Sequence, residues 1–424
     1  MLQLHHADEL DPLLDALAAV LGPSPADPFT PDLVVVPTAG LADAAKVGLG
    51  RRLGASDEPG ATDGVVANVE FVFPGRFVAR ALCIGGVGPA ADFVVDPWSI
   101  EHLTWHVLEE LEFGGLVVPG ANTSNRWALA RRVADLFDRY ATQRPRLIQH
   151  WAQGQLTDGT YGSNGELVAL SADQHWQAQL WQAVRRRIGQ PSIPEQLPGL
   201  LQAIRQGDVQ PDLPQRVSLF GLGSLAPSLL AVLRAVAEVR DMHVFLRHPS
   251  RVVWAGAPNR LAGGLVQRAL ADVTSYVKHP LVESWGRPAL EAKALVGGAS
   301  DINEVGHSPR TVAPAATVLG ALQRGIRLDV PPTLDPVLVA ADGSLQVHAC
   351  HGEVRQLEVL RDALGHAFVA DPTLQPHEVL VLCGDLERFA PLVEAVFTRG
   401  ALPVPVRIGD RSLSTADPVG SALQ

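Results

Sequence analysis

Lysine is nearly missing from this sequence. Lys46, Lys278 and Lys293 are the only three in 424 residues, and the formal net charge is −11. A phosphate-binding P-loop needs G-x-x-x-x-G-K-[ST], because the lysine must reach the phosphates and the hydroxyl must hold Mg²⁺. The contexts Ala45-Lys46-Val47, Val277-Lys278-His279 and Ala292-Lys293-Ala294 offer neither the preceding glycine nor the following hydroxyl. A normal Walker A site is excluded. Cysteine is equally scarce. Cys83, Cys350 and Cys383 form no C-x-x-C, which speaks against a zinc ribbon or a disulfide framework. No apolar run reaches the length of a membrane span. The opening MLQLHHADELDPLL carries acids where a signal peptide needs bases. A soluble cytoplasmic protein without a membrane partner is expected. The negative balance argues against a surface coated for nonspecific DNA binding, but it permits a local channel built from arginine.

What is present reads as alternating strands and helices. Leu2 to His5 is a short strand, and Asp11 to Leu21 has helical apolar spacing stopped by Gly22-Pro23. Leu33 to Val36 is a continuous apolar run, the mark of a strand buried on both faces. Leu41 to Leu53 follows as a helix, residues 54–64 as a polar loop, and Val65 to Val69 as another strand. This βαβ beginning predicts a parallel α/β sheet. Residues 97–206 change character: helices are expected from the Pro97-Trp98-Ser99 cap to Glu112, over Asn125 to Thr142, and over Asp173 to Ile188. In the last, Trp176, Leu180 and Val184 give one buried face. Strands return at Arg216 to Phe220 and Met242 to Leu246, with a helix from Pro227 to Val239 between them. Near 345 a second βαβ pattern begins: strand Leu345 to Ala349, helix Glu353 to Phe368, strand Val379 to Leu382. The expected division is a first α/β domain over 1–96 and 207–255, a helical insertion over 97–206, an irregular or helical connection over 256–340, and the start of a second α/β domain over 341–424.

Four local motifs invite enzyme readings. Gly221-Leu-Gly-Ser-Leu-Ala226 fits G-x-G-x-x-A between strand and helix, but the ribose-binding acid should end the next strand, and Asp241 precedes it. The pattern reads better as a tight strand-to-helix turn. Glu291-Ala-Lys293 fits the E-x-K of metal-dependent nucleases, yet it lies in a good helix sequence and reads as a solvent-facing helix. His102 and His106 stand four apart, with Leu103 where a zinc protease needs glutamate. His348-Ala-Cys350-His351 has no fourth ligand in view, and strand alternation sends neighbours to opposite faces. Both histidine groups read as structural.

Several segments in order resemble the RecC family. They are Met1-Leu-Gln-Leu-His-His6, Asp27-Pro-Phe29 and Val36-Pro-Thr-Ala-Gly40, then Ala67-Asn-Val-Glu-Phe71 with Phe73-Pro74 and Phe77. There follow Ala134-Asp-Leu-Phe-Asp138 with Tyr140 and Arg144-Pro145, and the tryptophan-rich His175-Trp-Gln-Ala-Gln-Leu-Trp181. Pro280-Leu281, Ser284-Trp-Gly286, His348-Ala-Cys-His351, Asp371-Pro-Thr-Leu374 and Ala395-Val-Phe397 complete the set.

The resemblance implies two RecA-like domains of an inactivated superfamily 1 helicase core with a helical insertion. It implies a non-catalytic scaffold and DNA-channel subunit of the RecBCD (exodeoxyribonuclease V) complex, acting in double-strand break repair at the bacterial nucleoid. The expected partners are RecB-like and RecD-like subunits and DNA, both a duplex end and a single-stranded 3′ tail. No cofactor is expected in this chain; ATP and Mg²⁺ belong to the partners. The residues for reading a Chi-type sequence carry over unevenly. Asp135, Leu136, Asp138 and Arg144 match the family pattern. At the turn after the second strand, beside Thr38, the family's polar positions hold Pro37, Ala39 and Asp43. Phe73 stands in place of a smaller apolar residue, and Ala79 in place of a tryptophan. A different Chi-like signal, or none, is the expectation. In a plainer reading, Asp135 and Asp138 are an ordinary helix surface with Arg144 as ion partner. The alternatives from other classes are a nucleotide-dependent enzyme, either helicase or dehydrogenase, and an interaction scaffold that never touches DNA.

Overall fold

A computed structural model describes residues 1–23, 27, 29–53, 64–84, 96–116, 118–119, 125–161, 166–258, 272–297, 302–307, 316–333, 339, 342–398 and 405–409. Most of the expected 54–64 loop and the last fifteen residues lie outside these. The chain divides into two compact units. The first comprises Met1–Pro37, Ala45–Ala313 and Arg324–Pro331; the second comprises Thr38–Ala44, Pro314–Gln323 and Pro332–Gln424.

The first unit is built on a parallel sheet. Its elements run β1 (Leu2–Ala7), α1 (Leu10–Leu21), β2 (Asp32–Val35), α2 (Ala39–Gly50, which the unit boundary divides), β3 (Val69–Val72) and α3 (Pro74–Ala81). A helical region follows: α4 (Ile100–Phe113), α5 (Arg126–Gln143), α6 (Pro145–Ala152), a hairpin of β4 (Thr157–Tyr161) and β5 (Leu167–Ala169), α7 (His175–Ile188) and α8 (Ile193–Gln206). The sheet resumes with β6 (Arg216–Phe220), α9 (Pro227–Ala237), β7 (Asp241–Arg247), α10 (Arg251–Gly256), α11 (Pro280–Val296) and β8 (Ile302–Gly306). The strand order is β3-β2-β6-β7-β1-β8, and every pairing is parallel. The connection expected over 256–340 thus supplies an edge strand, β8, as well as helices.

Alternation decides the layers. Leu2, Leu4, Leu33, Val35, Val217, Leu219, Met242, Val244 and Leu246 all face one core, shared with Leu197, Leu229, Leu233 and Leu290 of α8, α9 and α11. The intervening residues His5, Ser218, Phe220, His243 and Phe245 are buried on the opposite face. There α1 packs on β1 and β7. The two faces explain why Leu33 to Val36 is apolar without alternation: all four are buried. Asp32 opens β2 with a two-pronged pair to Arg216 of β6, at 2.8 and 2.9 Å.

The helical region has its own core. Leu103 and Val107 of α4, Val133, Ala134 and Phe137 of α5, Ile148 and Trp151 of α6, and Leu180, Trp181 and Val184 of α7 are buried together. Trp151 Nε1 donates to the Thr157 carbonyl at 3.0 Å, so the indole is buried with its donor satisfied. Asn125 caps α5, and Ser192 with Glu195 forms a capping box on α8. The region is tied to the sheet layer where Ser228 Oγ, at the start of α9, donates to the Thr142 carbonyl of α5 at 2.8 Å.

In the second unit, Asp342 Oδ2 accepts from Val318 N at 2.8 Å, at the start of α12 (Val318–Leu328). Helices α13 (Glu353–Ala370) and α14 (Leu386–Thr398) pack on each other, with an ion pair of Arg388 and Glu353 at 2.5 Å.

Two expectations need correction. The strand expected at Val65–Val69 lies at Val69–Val72 instead. Asn68 takes φ of +56°, a left-handed conformation that stops extended backbone, and its carbonyl accepts from Asp32 N at 3.0 Å. The strands expected at Leu345–Ala349 and Val379–Leu382 form no ladder among the described residues. They flank α13 as expected, but Val347, Leu380 and Leu382 are exposed. A strand exists only through its neighbours, and none among the described residues pairs with these segments.

Candidate nucleic-acid interface

The α5 sequence turns its small and aromatic residues inward and its charges outward. Ala130, Val133, Ala134 and Phe137 are buried at three- and four-residue spacing, which leaves Asp135, Leu136 and Asp138 at the margin of the core. Asp135 pairs with Arg139, one turn further along. Asp138 is half-buried, and no hydrogen bond or ion pair holds its carboxylate among the described residues. Burial first, then the nearby charges of Asp135, Asp96 and Glu101, raise its pKa, against a smaller opposing effect of Arg139. It is a carboxyl group with acceptor capacity to spare and a raised tendency to keep its proton.

Arg144 lies at the corner between α5 and α6. Its amide donates to the Tyr140 carbonyl at 2.8 Å, and Pro145 starts the next helix, so the residue is pinned with φ of −134°. The guanidinium sits 5.8 Å from the Tyr140 ring centroid. Arg144 is therefore not the ion partner of Asp135; Arg139 is closer along the helix and takes that place. Tyr140 is itself fixed by Gln177, whose side-chain oxygen accepts from the phenol at 2.8 Å. The corner thus presents an unsatisfied carboxyl and an exposed guanidinium within two helical turns, on a rigid support.

Phe73 belongs to the same unit. It follows β3 and precedes Pro74 of α3, with half of its surface exposed. Ala79 on α3 offers no ring. Thr38 and Asp43 lie in the second unit. Thr38 Oγ accepts from Leu41 N at 3.2 Å, and Asp43 pairs with Arg407 at 3.2 Å. The hydroxyl and carboxylate are engaged within that unit.

The other motifs resolve structurally. In the glycine loop, Gly221 takes φ of +73° and Ala226 caps α9 without a side-chain oxygen. Asp241 stands at the start of β7, 3.5 Å from the terminal amine of Met1, at the wrong end of the strand for a ribose. The helix expected around Glu291 and Lys293 is α11, but it is not solvent-facing. Lys293 is buried, with Nζ donating to the Trp254 carbonyl at 2.8 Å and 3.5 Å from Glu304. Burial lowers its pKa and Glu304 opposes the shift. Glu291 bonds Arg287 on the same helix, so the two residues of the motif serve different partners. His102 bonds Ser99, and His106 lies 3.9 Å from Glu109. No cluster of metal-ligating residues occurs among the described residues. No helix among them is long and apolar enough to cross a membrane.

Two charged or titratable clusters have no local signature in the sequence. On the buried face under α1, His5 Nδ1 lies 3.0 Å from His307 Nε2, and His5 Nε2 lies 3.2 Å from His243 Nδ1. Nearby, Asp8 and Glu9 pair with Arg251 and Arg327. The partners stand more than 200 residues apart along the chain.

Residues 2–329 match the family described as RecC, N-terminal domain, and the chain belongs to that family. Curated relatives named RecBCD enzyme subunit RecC agree along the whole chain. The Mycobacterium tuberculosis (strain H37Rv) protein is 34% identical over 446 aligned positions, covering 99% of this chain and 38% of its own length. The Mycolicibacterium smegmatis protein is 34% identical over 455, with 99% and 38% covered. The Escherichia coli K12 protein is 26% identical over 483, with 100% and 40% covered. The chain therefore spans about two fifths of the length of these relatives.

Proposed function

We propose that the chain serves as the N-terminal part of a RecC-type subunit, a scaffold and DNA-channel element of a RecBCD complex in double-strand break repair. Its partners are RecB-like and RecD-like subunits, which carry the ATP and Mg²⁺, and a duplex end with its unwound 3′ strand at the nucleoid. The first unit is read as an inactivated RecA-like domain with residues 97–206 inserted, and the second as the start of another. The parallel sheet supports that reading. So does the connection between β1 and α1, where Asp8 and Glu9 alone stand in a position that a P-loop would need eight residues to fill.

The observation that carries the DNA reading is the α5–α6 corner. A carboxyl such as that of Asp138 accepts from base amino groups, while an exposed arginine donates to phosphate or guanine. With Ala79 in place of a ring and Asp43 engaged with Arg407, the reading is of a signal different from that of family members with the full polar set, or of none. The test is binding of labelled single-stranded DNA across a salt series. Arg144→Ala is expected to weaken binding and to flatten the salt dependence by about 0.7 in log–log slope, the value for one phosphate contact on a single strand. An unchanged slope and affinity would remove Arg144 from the interface. Capture of partner subunits without any DNA binding would favour the scaffold reading, which the charge of −11 supports.

A further inference from the structure

The corner between β1 and α1 carries charges that the proposed function does not use. β1 ends at Ala7 and α1 begins at Leu10. The corner lies at the carboxyl end of β1, where the chain leaves for β2 on one side of the sheet. Adjacent β7 leads to β8 on the other side. The two connections lie on opposite faces, α1 over the His5 face and α11 over the Leu4 face, and the crevice outside the carboxyl ends of strands at such a change of face is where open α/β sheets take ligands. Two arginines reach this crevice, and both are taken by the chain's own carboxylates. Arg251 Nε donates to Asp8 Oδ1 at 3.2 Å, and Arg327 Nη2 donates to Glu9 Oε1 at 2.7 Å. The two segments that carry them are tied together, because Ser250 Oγ, next to Arg251, donates to the Arg327 carbonyl at 2.9 Å. Arg251 is further fixed by the His307 carbonyl. Asp8 is only 7% exposed and has Arg251 as its ion partner. Glu9 is the N-cap of α1, yet its side chain makes no capping bond; Arg327 holds it instead. Beside Arg251 a cavity of about 300 Å³ remains, lined by His6, Trp254, Glu304 and His307.

We propose that Arg251 and Arg327 form an oxyanion-binding site at this crevice, and that Asp8 and Glu9 are internal ligands occupying it in place of a multivalent oxyanion. Guanidinium groups suit carboxylates and phosphoryl oxygens alike. The crevice is therefore closed by substitution of ligand, with its cationic half intact. Neutral isosteres at both acids free the arginines without removing bulk.

The test is thermal unfolding of the 424-residue chain with sodium pyrophosphate or with sodium chloride at matched ionic strength. The D8N/E9Q variant is expected to melt lower than the parent. Pyrophosphate at ten times its Kd should then raise that midpoint by roughly 3 °C, while leaving the parent unmoved. Adding Arg251→Gln to the double variant should abolish the rise. If D8N/E9Q does not fold, E9Q alone carries the same test, since Glu9 is partly exposed and Arg327 is freed by it. The proposal is overturned by an equal response in the parent, by equal effects of chloride and pyrophosphate, by no response in the variants, or by a response that survives Arg251→Gln.

Discussion

Acid should unfold the first unit sooner than its carboxylates alone would require, and the buried histidines set the pH. His5 is lowered from 6.5 to about 4 by burial, then by His243, His307 and His6. His248 is lowered to about 4 chiefly by burial, with Lys293 and His6 adding to the effect and its bond to the Ser250 backbone opposing it. The groups facing this chain of imidazoles include Phe245 stacked on His5 at 4.5 Å, Asp15 and Arg251 near His307, and Asp241, Arg216 and the terminal amine near His243. A pKa depressed in the folded state means that the unfolded state takes up the proton first. The stability contributed by neutral imidazoles is therefore fully present above pH 6.5 and drains away as pH falls toward 4. For one group moved from 6.5 to about 4, the loss is about 2 kcal/mol at pH 5 and about 3 kcal/mol at pH 4. His5 and His248 together make about 4 kcal/mol at pH 5, a large fraction of an ordinary domain's stability. Urea unfolding at pH 8 and pH 5, followed by tryptophan fluorescence, measures the difference. His5→Phe preserves the stack on Phe245, and His248→Asn preserves a donor toward the Ser250 carbonyl. Each is expected to lose some stability at pH 8 and to narrow the gap between the two pH values by about 2 kcal/mol. If both variants keep the parental gap, the acid sensitivity arises elsewhere and the argument from the imidazole chain fails.

Two further outcomes follow from the paired charges. Asp32→Ala should cost about 3 kcal/mol in urea unfolding, because it leaves the largely buried Arg216 with the Leu21 and Pro23 carbonyls but no counter-charge; a loss below about 1 kcal/mol would mean that water reaches the guanidinium. Glu304→Ala should destabilise more than Lys293→Met, because the first leaves a buried ammonium with the Trp254 carbonyl and ring but no counter-charge, whereas the second replaces it with an apolar chain of similar length. The reverse order would show that His6 and Trp254 do not satisfy Glu304 once the lysine is gone.

Elements whose signal is local are legible in the residues alone. Leu33 to Val36 reads as a doubly buried strand because four consecutive apolar residues have no other use in so short a segment. The face of α7 follows from Leu180 and Val184, and the corner at Arg144 from the proline behind it. Elements that depend on a distant partner are less legible. β3 is displaced by the left-handed Asn68, a conformation that composition does not reveal. Leu345–Ala349 has the right residues for a strand and no partner among the described residues. Lys293 has the sequence context of an exposed helix, and Glu304 with the Trp254 carbonyl and ring makes its burial tolerable. Among the candidate interface residues, those on α5 share one helix by spacing alone. The commitment of Asp135 to Arg139 rather than Arg144 depends on side-chain geometry that spacing does not encode.

Helix α9 has a mechanical consequence for the interface. It packs against α3, α8 and β7, and through Ser228 and Thr142 it also grips the end of α5. The inserted helices are joined to the sheet by chain at only two places, after α3 and before β6. Their attitude is set by this shared beam rather than by those links. Any load on Arg144, such as a strand pulled across the corner, reaches the sheet through α9, which α5 grips, and through α8, which α6 packs on.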